Sequence, residues 1–500
     1  MDRWREHFEG LFEEDERSEQ RSPVLSEDDD TGISEEEVRR AVSRLKGGKA
    51  PGVCGIGPEM LKAGGEVIIH WLVSLFNVVW EKGEAPRDWR DATIVPIHKK
   101  GSRMECTNYR RISLMSVVGK VFARVLNVRV KGLTESSVME EQGGFRSGRG
   151  CVDQVFAVKQ VIEKMIERDR VMFMAFIDLE KAYDSVCREK LWGILAEYGV
   201  RGKLLRSIKA LYEGGRARVK VEEMESQWFR VNKGVRQGCT LSPWLFNLFL
   251  DRVVKEARRE WVEEVTLSTG TIGVLLFADD MVMMAETREA LQHNVEAMNE
   301  ALMKWDLKVN WRKTKVMRVA RNREECQVVV GEEQLEQVDT MKYLGVMISG
   351  DGSMQREVEA RIGGATRVIG GISQEVLRRR EFSKQTKLKV VNATVMPVLI
   401  YGCEAWAARK EQQSRIQATQ MNVLRRIEGV CWRDRVTNEE VLRKLGQVGV
   451  LELVRRRQEE WKGRLDMMEN GRCTKRVYEG VVEGKRPRGR PRLRWIDNFK

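Results

Sequence analysis

The sequence is short of the residues that build metal-stapled or disulfide-stapled modules. Its 500 residues hold four histidines and nine cysteines. The cysteines are scattered from Cys54 to Cys473, and no two stand in a Cys-x-x-Cys pair. Structural zinc needs closely spaced Cys and His ligands, so this pattern argues against a zinc module. The odd cysteine count and wide spacing point to reduced thiols inside a cell. Long apolar runs are missing too. His70 and the charges around Glu81 interrupt the most hydrophobic stretch, so no membrane span is expected. The charged start, Met1 to Phe8, lacks a signal-peptide core, and no repeat of solenoid period is present.

What the chain does have is positive charge. Lys and Arg number 88 against 75 Asp and Glu, a net charge of +13, with a pI near 9.3. Such a surplus favours a polyanionic partner without identifying one. A hydrophobic share of 42% is ordinary for a globular protein, and this length allows roughly two to four structural units.

Residues 274–284 read Val-Leu-Leu-Phe-Ala-Asp-Asp-Met-Val-Met-Met. A buried strand does not tolerate the adjacent Asp279 and Asp280 unpartnered, because desolvating them costs several kcal/mol or more. A hairpin that lifts both onto a cation does, and Mg²⁺ takes such hard oxygen ligands. A second segment, Met172–Val186, carries an apolar run of strand length, Phe173–Ile177, followed directly by Asp178. Tyr183 comes five residues later. Asp184 and Ser185 read as N-cap oxygens for a helix through Leu191 and Leu195 that Gly199 ends. Between these segments, Gly234-Val-Arg-Gln-Gly-Cys239 is a glycine-bearing turn where backbone can approach a ligand closely.

Strand-Asp178, then Arg236-Gln237-Gly238, then Phe277-Ala-Asp-Asp280 resembles the palm motifs of reverse transcriptases. The longer matches, Phe176–Asp184 and Gly234–Cys239, resemble the non-LTR (LINE-type) retrotransposon branch. The likeness extends to Lys46–Gly52, Ile94–Gly101, Asn108–Arg110, Gly143–Arg149, Leu307–Asn310, Lys313–Lys315, Lys342–Gly345, Tyr401–Trp406 and Gly489–Arg492, covering about residues 33–500.

The resemblance implies an α+β right hand of fingers, palm and thumb that extends a primer 3′-hydroxyl on an RNA template. Asp178, Asp279 and Asp280 would hold two Mg²⁺ ions, with Mn²⁺ as an alternative. Lys99 or Lys100, with Arg110, would hold the triphosphate. Gln237 and Gly238 would position the incoming deoxynucleotide, and Lys313 would give a proton to pyrophosphate. Tyr183 beneath the sugar would exclude a 2′-hydroxyl. Its partners would be RNA template, DNA primer or target site, and deoxynucleoside triphosphates, in nucleus and cytoplasm. The second reading is a non-catalytic nucleic-acid-binding remnant or domesticated protein. It is raised by departures from the family pattern at Cys54, Arg111 and Arg464, where Asp, Pro and His are usual. An upstream endonuclease domain, common in such elements, is not expected in this chain.

The expected domains are an acidic, disordered leader (1–32), N-terminal extension and fingers (33–150), palm (151–347), helical thumb (348–440) and a basic C-terminal appendage (441–500). Within them, Ser34–Glu37 reads as a capping box and His70–Trp80 as a buried helix. Ser116–Leu133 reads as a helix whose Lys120, Arg124, Arg129 and Lys131 line a template channel or face solvent. Pro397 should stop the helix that starts near Ser383. In the tail, Lys485 to Arg494, prolines keep the chain extended. Arg488, Arg490 and Arg492 would bind nucleic acid, as an AT-hook-like minor-groove reader or as a plain polycation.

Overall fold

The computed structural model describes residues 1–12, 31–99, 101–322, 324–488 and 492–499. Lys100, Arg490 and residues 13–30 of the leader lie outside the described residues. The strands that carry the architecture are β1 (Ala92–His98), β2 (Tyr109–Met115), β3 (Met172–Ile177), β4 (Arg216–Val221), β5 (Val274–Phe277), β6 (Asp280–Ala285) and β7 (Lys315–Val319). The fold mixes these with many helices, and the chain divides into two compact units. One unit is Met1–Phe145, Leu179–Glu260 and Ala297–Asn310. The other is Arg146–Asp178, Trp261–Glu296 and Trp311–Lys500. The stretch 151–347, expected as one palm, is therefore shared between them. Among the described residues no helix is long and apolar enough to cross a membrane.

In the first unit β1 pairs antiparallel with β2 and parallel with β4. The first residues of the leader pack against this sheet, which corrects the expectation of disorder for them. Asp2–Glu9 is a helix, and Phe8 and Phe12 are buried against Ile94, Val219 and Phe229. Trp4, Phe8 and Phe12 recur every fourth residue, so they share one apolar face. Ser34 makes the expected capping box for the helix Glu35–Ser43.

The helix Gly65–Lys82 is amphipathic rather than buried. Phe76 and Trp80 are enclosed while Val67, Trp71 and Val78 are exposed. The helix Val117–Thr134 presents no free basic stripe. Arg129 forks onto Glu37 and the carbonyls of Thr31 and Gly32, Arg124 bonds the carbonyl of Ala41, and Lys131 bonds that of Phe145.

The second unit is built on a five-stranded sheet in which β3 lies between β6 and β7, and β5 pairs on the outer side of β6. Side chains alternate across a strand. One face therefore carries Met172, Met174 and Phe176 of β3, Val282 and Met284 of β6, and Met317 and Val319 of β7, all within one core with the helix Cys151–Glu167. A separate helical core joins Gln355–Ile372, Lys384–Leu399 and Lys410–Glu428. Pro397 lies inside the second of these rather than ending it. The helix runs two residues further, so that Leu399 and Ile400 reach this core.

The C-terminus is not an appendage. Trp461, Leu465, Cys473, Val477, Val482 and Trp495 belong to the same core as β3. The Trp495 ring meets Phe156 edge-on at 4.8 Å, and its indole N–H donates to the Glu404 carbonyl at 2.6 Å. Large aromatic truncations in a packed core cost about 3–5 kcal/mol. Trp495→Ala is therefore expected to lower unfolding free energy by about that much in urea titrations followed by circular dichroism. A loss near zero would show that the C-terminal segment does not complete this core.

Candidate active site

Strand register decides what surrounds Asp178. Met281 lies opposite Ile177 and Val282 opposite Phe176, so the next step of the same register sets Asp280 beside Asp178. On the other side Lys315 lies opposite Phe176, and the same counting brings Lys313 beside Asp178. The Lys313 ammonium donates to Asp178 Oδ2 at 3.0 Å. The buried Thr314 hydroxyl accepts the Asp178 backbone N–H at 3.3 Å. β5 and β6 form a hairpin with Phe277 opposite Asp280, turning through Ala278 and Asp279. Ala278 takes φ 58°, a left-handed conformation that costs a side-chain-bearing residue about 1–2 kcal/mol. The strain sits at the turn that presents the two carboxylates.

Charge repulsion is the electrostatic signature of this place. Packing at the hairpin strips part of the hydration from Asp280, and Asp279 and Asp178 repel its negative form; together they push its carboxyl up to about 6. Among the described residues no trio of Asp, Glu, His or Cys side chains stands as a ready-made metal cluster. The donor set nonetheless fits a hard divalent cation, since it consists of carboxylate oxygens whose mutual repulsion such an ion removes.

The first unit holds the other expected residues. Tyr183 is half-buried, stacked on Phe246 at 4.5 Å with the rings 17° apart. The turn that starts at Gly234 is clamped to the Tyr183 segment: Val235 N–H donates to the Tyr183 carbonyl and Gly234 N–H to the Val186 carbonyl, both at 2.8 Å. Gly234 has φ 80°, and a Cβ there would lie 2.8 Å from the Asp184 carbonyl oxygen. Gly238 has φ 100°. Lys99 and Arg110 are exposed at the β1–β2 hairpin, Arg110 opposite Ile97.

Asp184 is not the helix cap that the sequence suggests. The following helix, Arg188–Glu197, starts after Cys187. Asp184 is buried within a short turn, Ala182–Ser185. There it accepts a charge-assisted bond from Arg111 and a 3.3 Å bond from Gln237 Nε2. The Arg111 guanidinium lies 4.4 Å from the centre of the Phe12 ring. Burial pushes the Asp184 carboxyl up, and Arg111 opposes that rise. Arg111, visible in the sequence only as a departure from a family pattern, thus ties β2 to Gln237 through Asp184. Its unusual charge was the signal, but nothing in the sequence named its partner. Arg488 and Arg492 are elsewhere in the second unit, with Arg492 bonding the Asp351 carbonyl at 2.6 Å.

The reverse transcriptase (RNA-dependent DNA polymerase) family matches residues 97–348, just over half of the sequence. The chain belongs to the reverse transcriptase family. It is similar to the "RNA-directed DNA polymerase from mobile element jockey" of Drosophila funebris, 25% identical over 476 residues that cover 92% of this chain and 51% of that protein. It is also similar to the "Retrovirus-related Pol polyprotein from type-1 retrotransposable element R2" of Nasonia vitripennis, 28% identical, covering 60% of this chain and 30% of that one. The chain is also similar to a structure of Candida tropicalis telomerase with a telomeric RNA fragment, at 14% identity and a TM-score of 0.40, covering 83% of this chain and 68% of that one. The chain spans about half or less of the length of these curated relatives.

Two measurements probe this site. A carboxyl raised in the folded state contributes stability that is full below its unfolded value and is lost as pH rises through the folded one. For Asp280 that window runs from about 4, the ordinary value for aspartate, to about 6. Asp280→Asn is expected to melt higher than wild type at about pH 7.5 in chelator, with the difference vanishing near pH 4. A variant that melts lower at neutral pH would contradict the repulsion. At the buried pair, Arg111→Met alone should cost about 3–5 kcal/mol in urea denaturation, and a second change, Asp184→Leu, should recover much of it. Additive losses would show that the two side chains are not energetically coupled.

Proposed function

We propose that this chain is an RNA-directed DNA polymerase that extends a primer 3′-hydroxyl on an RNA template during retrotransposition. The observation that carries the proposal is the Asp178, Asp279 and Asp280 cluster, set by the β3–β6 register at the end of an apolar sheet. In this reading β1 and β2 belong to fingers, the β3 sheet to the palm, and the helical core over 354–450 to the thumb.

Asp178, Asp279 and Asp280 would hold two Mg²⁺ ions, which when bound activate the attacking hydroxyl and neutralise the leaving pyrophosphate. The primer 3′-oxygen forms the new bond to the α-phosphorus as the bond to pyrophosphate breaks. Arg110 and Lys99 bind the triphosphate, the arginine as a fork and the lysine as a point charge. Tyr183, held against Phe246, closes the space a 2′-hydroxyl would need and so selects deoxynucleotides. Gln237, oriented by Asp184, positions the incoming nucleotide. Lys313 gives a proton to pyrophosphate, and its bond to Asp178 keeps it at the carboxylates. Arg488 and Arg492 add charge for nucleic acid. The work is divided between cytoplasm, where template RNA is bound, and nucleus, where target DNA lies.

The test is primer extension on an RNA template with Mg²⁺. Asp279→Asn is expected to abolish extension, a loss of at least about 10³-fold if it removes a group that stabilises transition-state charge, while RNA affinity measured by filter binding stays unchanged. Extension at the wild-type rate by this variant would refute the assignment. Absence of extension by the wild-type chain, with RNA still bound, would favour the non-catalytic reading.

A further inference from the structure

The second unit contains a cavity of about 440 Å³ that none of the assigned polymerase carboxylates lines. Its walls come from the helix Cys151–Glu167, the Met347–Met354 segment, Arg409 with its neighbours, and the basic tail. Seven basic side chains face it against three acidic ones, Glu163, Glu167 and Asp351. All three acids are already engaged, Asp351 Oδ1 by the Ser353 backbone N–H at 2.8 Å. Glu167 pairs with Arg486 at 3.2 Å and Arg494 at 3.3 Å, and Glu163 accepts the Trp495 backbone N–H at 2.8 Å. Burial also pushes the Glu163 carboxyl up to about 7, so it brings less negative charge to the cavity at neutral pH.

The basic side chains are less well matched. Lys159 Nζ has a thioether, Met354 Sδ at 3.3 Å, as its hydrogen-bond acceptor, although burial lowers the ammonium to about 8. Arg492 donates to a neutral carbonyl, that of Asp351. Among the described residues, Arg409 and Arg488 enter no ion pair. Glu357 and Glu163 lie near enough to favour the charged Lys159 ammonium, yet its hydrogen-bond acceptor is a sulfur, and Arg409, Arg488 and Arg492 line the same cavity without a carboxylate partner among the described residues. Phosphate oxygens match such an array, because guanidinium binds them in pairs and ammonium binds them as a point charge. The volume lies within the range of ordinary ligand sites.

Residues 486–488 and 492–494 line one wall of the cavity, and Val482 and Trp495 are buried nearby in sequence. Arg486 and Arg494 are held there by Glu167, and Arg492 by the Asp351 carbonyl.

We propose that this cavity is a phosphate-binding site, separate from the polymerase carboxylates, in which Lys159, Arg409, Arg488 and Arg492 take a phosphate group of a bound nucleic-acid strand. The proposal rests on the polymerase reading only in naming nucleic acid as the source. Free pyrophosphate offers the same chemistry, and the experiment separates the two.

The test uses the full chain and two variants, Lys159→Met, which keeps the buried volume, and Arg409→Gln, an exposed change that leaves folding intact. Affinity for a short fluorescein-labelled single-stranded oligodeoxynucleotide is measured by anisotropy across a salt series, and pyrophosphate binding by calorimetry. Each strand phosphate that a variant leaves unneutralised lowers the slope of log K against log salt by about 0.7. The expected result is a severalfold loss of oligonucleotide affinity and that drop in slope for each variant, with no pyrophosphate binding. Pyrophosphate bound by wild type and lost in both variants, with unchanged slope, would assign the site to free phosphate. Unchanged slope and affinity with no difference toward pyrophosphate in either variant would overturn the proposal. Primer extension on a short template, run in parallel, should continue in both variants. Its absence in wild type would count against the polymerase reading and leave the binding comparison intact.

Discussion

The antiparallel register of β3 with β6 and β7 is the constraint on which the candidate site depends. Methionine, phenylalanine, alanine and isoleucine run without interruption along β3 because both of its faces are covered. Slipping the register by one residue would turn every side chain to the opposite face, and the buried core of Met174, Phe176, Val282 and Met317 forbids that. With the register fixed, Asp178 has no freedom over its neighbours. It emerges where the apolar face ends, with Asp280 on one side and Lys313 on the other. The hydrophobic core thus supplies the energy that holds like charges together, and the raised carboxyl of Asp280 measures the opposition it overcomes.

A second, independent tie organises the first unit. Arg111 on β2, Asp184 after the Tyr183 ring, and Gln237 in the glycine turn form one buried polar network. Such a network stabilises little net, because both charges lose their hydration, but it permits few alternative arrangements. Phe12 covers the guanidinium, so a residue near the start of the chain shields an ion pair made among segments far away in sequence. The backbone bonds from Gly234 and Val235 to the same segment reinforce it, and the absence of a Cβ at Gly234 is what lets the two chains approach.

The C-terminal residues extend the same logic to the second unit. Trp461 and Trp495 meet Phe156, whose helix covers the β3 sheet. Near Trp495 in sequence, Arg486, Arg488, Arg492 and Arg494 line the cavity. Charge that looks solvated in the sequence is partly taken up by Glu167, and what remains is concentrated on Lys159, Arg409, Arg488 and Arg492, the last of which meets only the neutral Asp351 carbonyl.

Local chemistry was legible in the sequence. The apolar run before Asp178, the paired carboxylates at 279–280, the glycine turn at 234–238 and the capping box at Ser34 each depend on neighbours a few residues away, and each forms as its pattern requires. Their order along the chain also carried the family. Partnership at a distance was not legible. Asp184 satisfies the rule for a helix cap, yet a guanidinium 73 residues away outcompetes the nearby backbone, because a buried carboxylate gains more from a charged donor than from an N–H. The same reason undid the basic stripe of Val117–Thr134, whose arginines turn inward to Glu37 and to carbonyls. The expected C-terminal appendage differs for another reason, apolar burial: Trp495 packs against a helix more than three hundred residues earlier. Sequence set which groups were available and which strands could form. Tertiary packing alone decided which charges meet, since burial makes each unpaired charge costly enough to select its partner from anywhere in the chain.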